Sequence, residues 1–190
     1  MQNIVNKLQS LYPISNAAID LVKPHAVRCE FPKRHLLVSK GKCARSVFFI
    51  ENGITRSYWV KDGEEFTTSF SSEGDVVFSM DEVYYGLPSE EYVETLEDAV
   101  VYRVPLDVLR TLVETHLEWA NWWRVIHQNE YRRIHRTHKE RLTLSAPERY
   151  EAFCRQFPDV CKRVNLGFVA SYIGVTLSTL SRLRADACRF

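Results

Sequence analysis

Residues 166–184 read LGFVASYIGVTLSTLSRLR, and this stretch decides the architecture of the last part of the chain. Two short helices that cross closely need a small residue where their backbones meet, and Ala170 stands at the fifth position of the window. The turn between them needs a residue at ease with positive φ, and Gly174 holds the ninth. Val169, Ile173, Val175, Leu180 and Leu183 fall where side chains must face a shared core. Asn165 and Thr176 precede the two helical runs, each with a side-chain oxygen able to cap unpaired N–H groups. A generic helical hairpin also requires apolar spacing, but not a small residue and a glycine at these offsets. The window predicts a helix-turn-helix.

In such a motif the second helix, here Leu177 to about Ala185, is the one that enters the major groove of double-stranded DNA. With Leu180 and Leu183 turned inward, the outward positions are Leu177, Ser178, Thr179, Ser181, Arg182 and Arg184. Arg182 is the candidate for a bidentate bond to guanine, whose O6 and N7 match the guanidinium fork. Ser178 and Ser181 are candidates for bases or phosphates, and Thr176 and Thr179 for backbone phosphates. Arg184 reads either as a DNA contact or as a solvated cation favoured at a helix C-terminus.

The formal net charge of the chain is only +1, but its distribution is uneven. Residues 1–120 carry 12 Lys/Arg against 18 Asp/Glu, and residues 121–190 carry 13 against 6. A basic end on an acidic body is an electrostatic footprint for phosphate that also keeps the other domain off the nucleic acid. The basic part is the part with the motif.

The opening MQNIVNKLQSLYPIS has neither a basic leader nor a long apolar run, so no secretory signal is expected. No run of 18 apolar residues suggests a membrane span. The five cysteines, Cys29, Cys43, Cys154, Cys161 and Cys188, form no C-x-x-C pair. That pattern suits free thiols in a reducing cytoplasm. Cys154 and Cys161 read as small apolar packing residues rather than metal ligands. His127, His135 and His138 lack a carboxylate or cysteine at convincing ligand spacing, so no metal site is expected.

Residues 1–28 have a helical apolar face broken at Pro13 and Pro24. From Phe31 short β-rich segments follow: Phe31–Val38, Val47–Ile50, Ile54–Val60, Phe66–Phe70, Asp75–Phe78, Tyr92–Leu96 and Ala99–Val104. Gly41, Gly53, Gly63 and Gly74 punctuate them at the spacing of a small all-β barrel or sandwich. Asp62-Gly63 is a two-residue hairpin signal. Helical periodicity returns at Pro105–Val113 and then over His116–Leu142, about 40 Å at ~1.5 Å per residue. On that long helix Trp119, Trp123, Ile126 and Ile134 share a stripe, with Trp122 beside it. The helix joins two domains with nothing evident to lie against, so a two-fold partner helix is the expected cover. Its far end, YRRIHRTHKER, is polar all round and expected to be solvated. Ser145-Ala146-Pro147-Glu148 is a capping box opening a helix with Tyr150, Phe153, Cys154 and Phe157 on one face, stopped by Pro158. This helix would complete a three-helix DNA-binding domain.

A β region, a long helix and a terminal helix-turn-helix, in that order, resemble the Crp/Fnr family of bacterial transcription regulators over nearly the whole chain. GDVVFSMDEVYYGLPSEEYVETLED looks like that family's phosphate-binding cassette, and ASYIGVTLSTLSRLR looks like its recognition segment. Only six residues follow Arg184, an ending similar to a shorter branch common in Bacteroidetes that lacks the β-hairpin wing. The resemblance implies an α+β fold: an N-terminal β-roll (a double-stranded β-helix or jelly roll, cyclic nucleotide-binding-like) over residues 1–115. A dimerisation helix over 116–144 and a helix-turn-helix domain over 145–190 complete it. It further implies a cytoplasmic, non-enzymatic homodimer on an inverted-repeat operator, with RNA polymerase and a small-molecule effector as further partners.

The departures from the family are chemical. Cyclic-AMP-binding members supply a glutamate to the ribose and an arginine to the cyclic phosphate. Aligned on Gly74-Asp75, Gly86 and Tyr92-Val93, those positions hold Ser79 and Ser89. Met80 and Glu90 flank them in the same degenerate effector pocket, with Glu91, Asp81 and Glu82 nearby. Carboxylates repel a cyclic phosphate, so no cofactor, cyclic AMP included, is expected to bind in the family's manner. No cysteine cluster precedes the β region to hold an iron–sulfur centre. In the recognition segment Ser178 stands where many members carry an acidic residue and Leu177 where arginine or proline is frequent, while Arg182 matches the family's base-contacting arginine. The competing reading is a ligand- or partner-binding β-roll module whose DNA binding has decayed. An enzyme is disfavoured: His35 is the one histidine between Phe31 and Val104, and no G-x-S-x-G frames a serine.

Overall fold

The computed structural model describes residues 1–187 and divides into two compact units. One is formed by Met1–Ser57 and Phe70–Glu130, the other by Tyr58–Ser69 and the chain from Tyr131 onward. Cys188 lies outside the described residues.

The first unit opens with α1 (Gln2–Leu11) and α2 (Asn16–Val22). Pro13 separates them, and the Ser15 hydroxyl caps α2 by accepting the Ala18 N–H. A short 3-10 turn at Lys23–His25 carries Pro24 near its start. Among the described residues eight strands make two four-stranded sheets. One has the order β1 (Val27–Phe31), β8 (Ala99–Pro105), β3 (Ser46–Asn52), β6 (Val76–Val77). The other runs β2 (Leu36–Val38), β7 (Tyr92–Thr95), β4 (Thr55–Lys61), β5 (Glu64–Ser71). Most of the β4–β5 hairpin belongs to the second unit.

Strand β3 shows why the sheets stack as they do. Side chains alternate faces along a strand, and β3 is apolar on both. Phe48 and Ile50 join Leu37, Val38, Val77, Val93 and Val101 in the core between the sheets. Val47 and Phe49 join Ile4, Leu8, Ile19, Leu109 and Trp119 in a second core under the helices.

The single strand expected over Phe31–Val38 is two strands in different sheets. Pro32 offers no N–H to a ladder, and Arg34 adopts φ 69°, so the chain turns there. Thr95 holds the corner: its Oγ1 accepts from His35 N at 2.9 Å and donates to the Pro32 carbonyl at 2.8 Å. The Asp62-Gly63 hairpin forms as its sequence signals, with both residues at positive φ (53° and 81°).

Two helices follow the roll, α4 (Leu106–Thr115) and α5 (Leu117–Thr143), and one lies within it, α3 (Met80–Tyr85). The expectation that α5 has nothing to lie against along its apolar stripe is corrected here. Trp119 and Trp122 are 0% and 1% exposed, and Trp123 and Ile126 pack against the same core. The N-terminal helices α1 and α2, together with α4, supply the cover, so the Trp119, Trp123 and Ile126 part of the stripe is intramolecular core. Of the four stripe residues only Ile134 is exposed, at 53%.

The second unit contains α6 (Ala146–Gln156), α7 (Pro158–Arg163), α8 (Leu166–Ile173) and α9 (Leu177–Ala187). The capping box at Ser145 is complete: Glu148 accepts the Ser145 N–H at 2.8 Å while the Ser145 side chain serves N3. Pro158 does more than end α6. Its fixed φ also suits the first turn of a helix, and α7 begins on it, so the domain has one more helix than the three expected. This hairpin brings Cys154 and Cys161 together in a disulfide, with Cα atoms 5.4 Å apart. The expectation of free thiols at these two positions is therefore corrected, while Cys29 and Cys43 are free.

The polar end of α5 is not simply solvated either. Arg133 donates to the Tyr172 hydroxyl at 3.1 Å and Arg141 to the Tyr172 carbonyl at 2.6 Å, tying this half of α5 to α8.

Candidate nucleic-acid interface and effector cassette

Helices α8 and α9 meet at 106°, within the range of a helix-turn-helix. Gly174 ends α8 in the left-handed region at φ 71°, and its N–H returns to the α8 carbonyls. Asn165 caps α8 through Oδ1, which accepts the Gly167 N–H at 2.7 Å. Ala170, Val169, Ile173 and Leu180 are buried, and Leu180 is wholly so. Val175 and Leu183, the other two expected core positions, are only half-buried.

Thr176 caps α9: its Oγ1 accepts the Thr179 N–H at 3.2 Å and shares hydrogen bonds with the Ser178 and Thr179 hydroxyls at 3.0 and 2.9 Å. Three hydroxyls thus gather where the helix dipole presents positive charge, a setting that suits a phosphate oxygen. Ser178, Ser181, Arg182 and Arg184 are exposed, Thr179 is half-buried and Leu177 is 51% exposed. Leu180, two residues before Arg182, turns to the core, which puts Arg182 on the outward side of the helix.

Sequence reasoning missed what positions this pair. Strand β5 of the β4–β5 hairpin docks on α8 through residues of the same unit. Ser171 Oγ accepts the Thr67 N–H at 2.9 Å and donates to the Glu65 carbonyl at 3.1 Å. The Tyr172 ring packs against Phe153 and Phe157, at centroid distances of 5.5 and 5.8 Å. No local pattern announces contacts between residues some hundred positions apart.

In the cassette, Ser79 and Ser89 are each 1% exposed. Ser79 caps α3 by accepting the Glu82 N–H at 3.3 Å. Ser89 Oγ donates to the Glu91 carbonyl at 3.0 Å and accepts the Glu91 N–H at 3.2 Å. Both hydroxyls therefore hold the loop's own backbone. Met80 is 45% exposed, and Glu90 is exposed with its carboxylate 3.8 Å from Lys40 Nζ. Glu82 is buried and accepts the Ala44 and Arg45 N–H groups at 2.8 and 2.7 Å, fixing the turn before β3. Helix α3 was not expected from the sequence, though the Ser79-x-x-Glu82 spacing is a signal that could have found it; nothing local indicates the destination of the Glu82 carboxylate.

Burial, with Asp81 and Glu130 nearby, pushes the Glu91 carboxyl up to about 7. His127 Nδ1 faces the Trp123 carbonyl at 2.6 Å, so the proton sits on Nδ1. Nε2 then accepts from the Tyr84 hydroxyl. Burial pushes the Tyr84 phenol up to about 12. His127 is thereby engaged within its own unit. His135 lies near Tyr131, with ring centroids 6.4 Å apart. No single helix among the described residues is long and apolar enough to cross a membrane.

Residues 28–116 match the cyclic nucleotide-binding domain. The chain is 24% identical over 163 residues to the regulatory protein HlyX of Actinobacillus pleuropneumoniae, covering 80% of this chain and 67% of that protein. It is 26% identical over 166 residues to the anaerobic regulatory protein of Haemophilus influenzae, covering 80% of this chain and 63% of that one. The match thus spans about two thirds of the length of these relatives. In fold it is similar to the c-di-GMP-responsive global regulator CLP of Xanthomonas campestris (TM-score 0.72, 15% identity, 92% of each chain covered). By these likenesses the chain is similar to regulators of the Crp/Fnr type.

Proposed function

We propose that this chain is a cytoplasmic transcription regulator that reads double-stranded DNA through α9 as a homodimer and does not respond to cyclic AMP in the family's manner. The observation that carries the reading is the outward face of α9. Ser178, Ser181 and Arg182 are exposed on a helix anchored by a wholly buried Leu180 and set at 106° to its partner. Arg182 supplies base recognition, Ser178 and Ser181 add base or phosphate contacts, and Thr176, Thr179 and Arg184 hold phosphates. Two such heads related by a two-fold axis favour an inverted repeat with half-sites about 34–36 Å apart.

The second half of α5 supports the dimer. Tyr131, Ile134 and Leu142 are 72%, 53% and 73% exposed, and helical spacing puts them near one face. The dimer contact we propose lies further along α5 than the tryptophans. Against cyclic AMP stand the buried, self-bonded Ser79 and Ser89 and the carboxylates of Asp81, Glu90 and Glu91 around them.

Gel shifts on genome-selected and random duplexes at fixed salt test the reading. Arg182→Ala is expected to weaken specific binding by about 1–3 kcal/mol and random binding far less. Equal losses on both would remove base readout. A flat salt dependence would favour the rival reading, a ligand- or partner-binding module with decayed DNA contacts.

A further inference from the structure

Cys154 on α6 and Cys161 on α7 are joined by a disulfide. Both residues are half-buried. Their sequence neighbours Phe153 and Val160 are each 2% exposed, and Phe153 packs on Tyr172 of α8. The bond therefore ties α7 to α6, whose Phe153 packs on the first helix of the reading pair. The Tyr150 hydroxyl stands 3.7 Å from Cys161 Sγ, placed to donate to a thiolate there. The free cysteines Cys29 and Cys43 lie in the other unit.

We propose that Cys154 and Cys161 form a reversible thiol–disulfide couple that sets the rigidity of the α6–α7 hairpin and, through Phe153 and Tyr172, of the helix pair proposed above to read DNA. The oxidant is a small-molecule disulfide, such as glutathione disulfide. One cysteine thiolate attacks it, forming a mixed disulfide and expelling one glutathione thiolate. The second cysteine, as thiolate, attacks the protein sulfur of that mixed disulfide and expels the second glutathione. Two protein thiols lose two electrons and two protons, and one glutathione disulfide becomes two glutathione thiols. Tyr150 stabilises the Cys161 thiolate as attacking or leaving sulfur.

The test uses the full chain with Cys29, Cys43 and Cys188 changed to serine, equilibrated across ratios of reduced to oxidised glutathione. Alkylation and mass spectrometry follow the pair, and thermal melts follow the fold. The expected result is one intramolecular disulfide that forms and breaks within the buffer range, with the melting temperature falling by roughly 5 °C or more on reduction. Tyr150→Phe should slow the exchange several-fold, and a Cys154→Ser variant should melt alike in both buffers. If the serine-substituted chain does not fold, the same measurements are made on the unaltered chain, with the disulfide mapped by peptide.

A pair that stays as thiols or mixed disulfides at every ratio, or that closes without changing the melt, overturns the proposal. Specific DNA affinity is measured in both states and should be several-fold tighter in the oxidised one. Equal affinity in the two states overturns the coupling to α8 and α9. Absence of specific DNA binding in both states counts against the DNA-reading assignment, and the melts still decide the couple.

Discussion

The indole N–H of Trp119 donates to the carbonyl of Ala18 at 2.9 Å, bonding the start of α5 to the middle of α2 across 101 residues of sequence. Trp119 is wholly buried, and its ring meets Trp122 edge-on at a centroid distance of 5.3 Å. The N-terminal helices are thus part of what orients α5. Trp119→Phe removes the donor and replaces the buried indole by a smaller ring, so a loss of about 2 kcal/mol or more in urea unfolding is expected. A change below a few tenths would mean that α2 does not depend on this bond.

Glu91 makes stability fall as pH rises. Its carboxyl sits near 7 in the folded chain against an ordinary 4.5, because burial and the neighbouring Asp81 and Glu130 disfavour the anion. The folded state therefore holds a proton that the unfolded state releases. The contribution is fully present below pH ~4.5 and is lost as pH climbs through about 7, with a slope of at most ~1.4 kcal/mol per pH unit. Urea titrations from pH 5 to 8 should show that slope flattened in Glu91→Gln, which should be the more stable protein at pH 8. An unchanged slope would count against Glu91 as its source.

Gly174 holds φ 71°, and a Cβ built there would meet only Arg149 Nη1, at 3.7 Å. Space is adequate, so the cost of Gly174→Ala is conformational. A loss of about 1–2 kcal/mol is expected in thermal or urea melts of the chain. Near-neutral behaviour would show that the turn relaxes to another conformation.

The cassette predicts a negative result with cyclic AMP. Calorimetric titration of the purified protein should give no stoichiometric, tight heat of binding, because Ser79 and Ser89 bond to their own loop and Ser89, which carries no charge, stands where the family's arginine is expected. Tight one-to-one binding would overturn the cassette reading.

Legibility in the sequence followed the range of the interactions. Asp62-Gly63, the Ser145 capping box, and the Asn165 and Thr176 caps act over two to four residues, and they were readable as written. Strand segments were legible by alternation, but the break at Pro32–Arg34 needed the far partner Thr95. The cover on Trp119 was not legible, because Ala18 and Trp119 are each ordinary in their own windows. The candidate DNA-facing residues could be named from helical spacing alone, but the docking of Glu65 and Thr67 on Ser171 could not.

What the order of amino acids determined unaided is therefore local. Helix ends follow from side-chain oxygens, turns from residues that tolerate positive φ, and the outward face of α9 from a repeat of 3.6 residues. Tertiary structure decided which apolar stripe is covered from within, which hydroxyls remain for a ligand, and that two cysteines seven positions apart become one bond. Those outcomes depend on which distant surfaces meet, and burial and hydrogen bonding across such contacts have no signature in any single window.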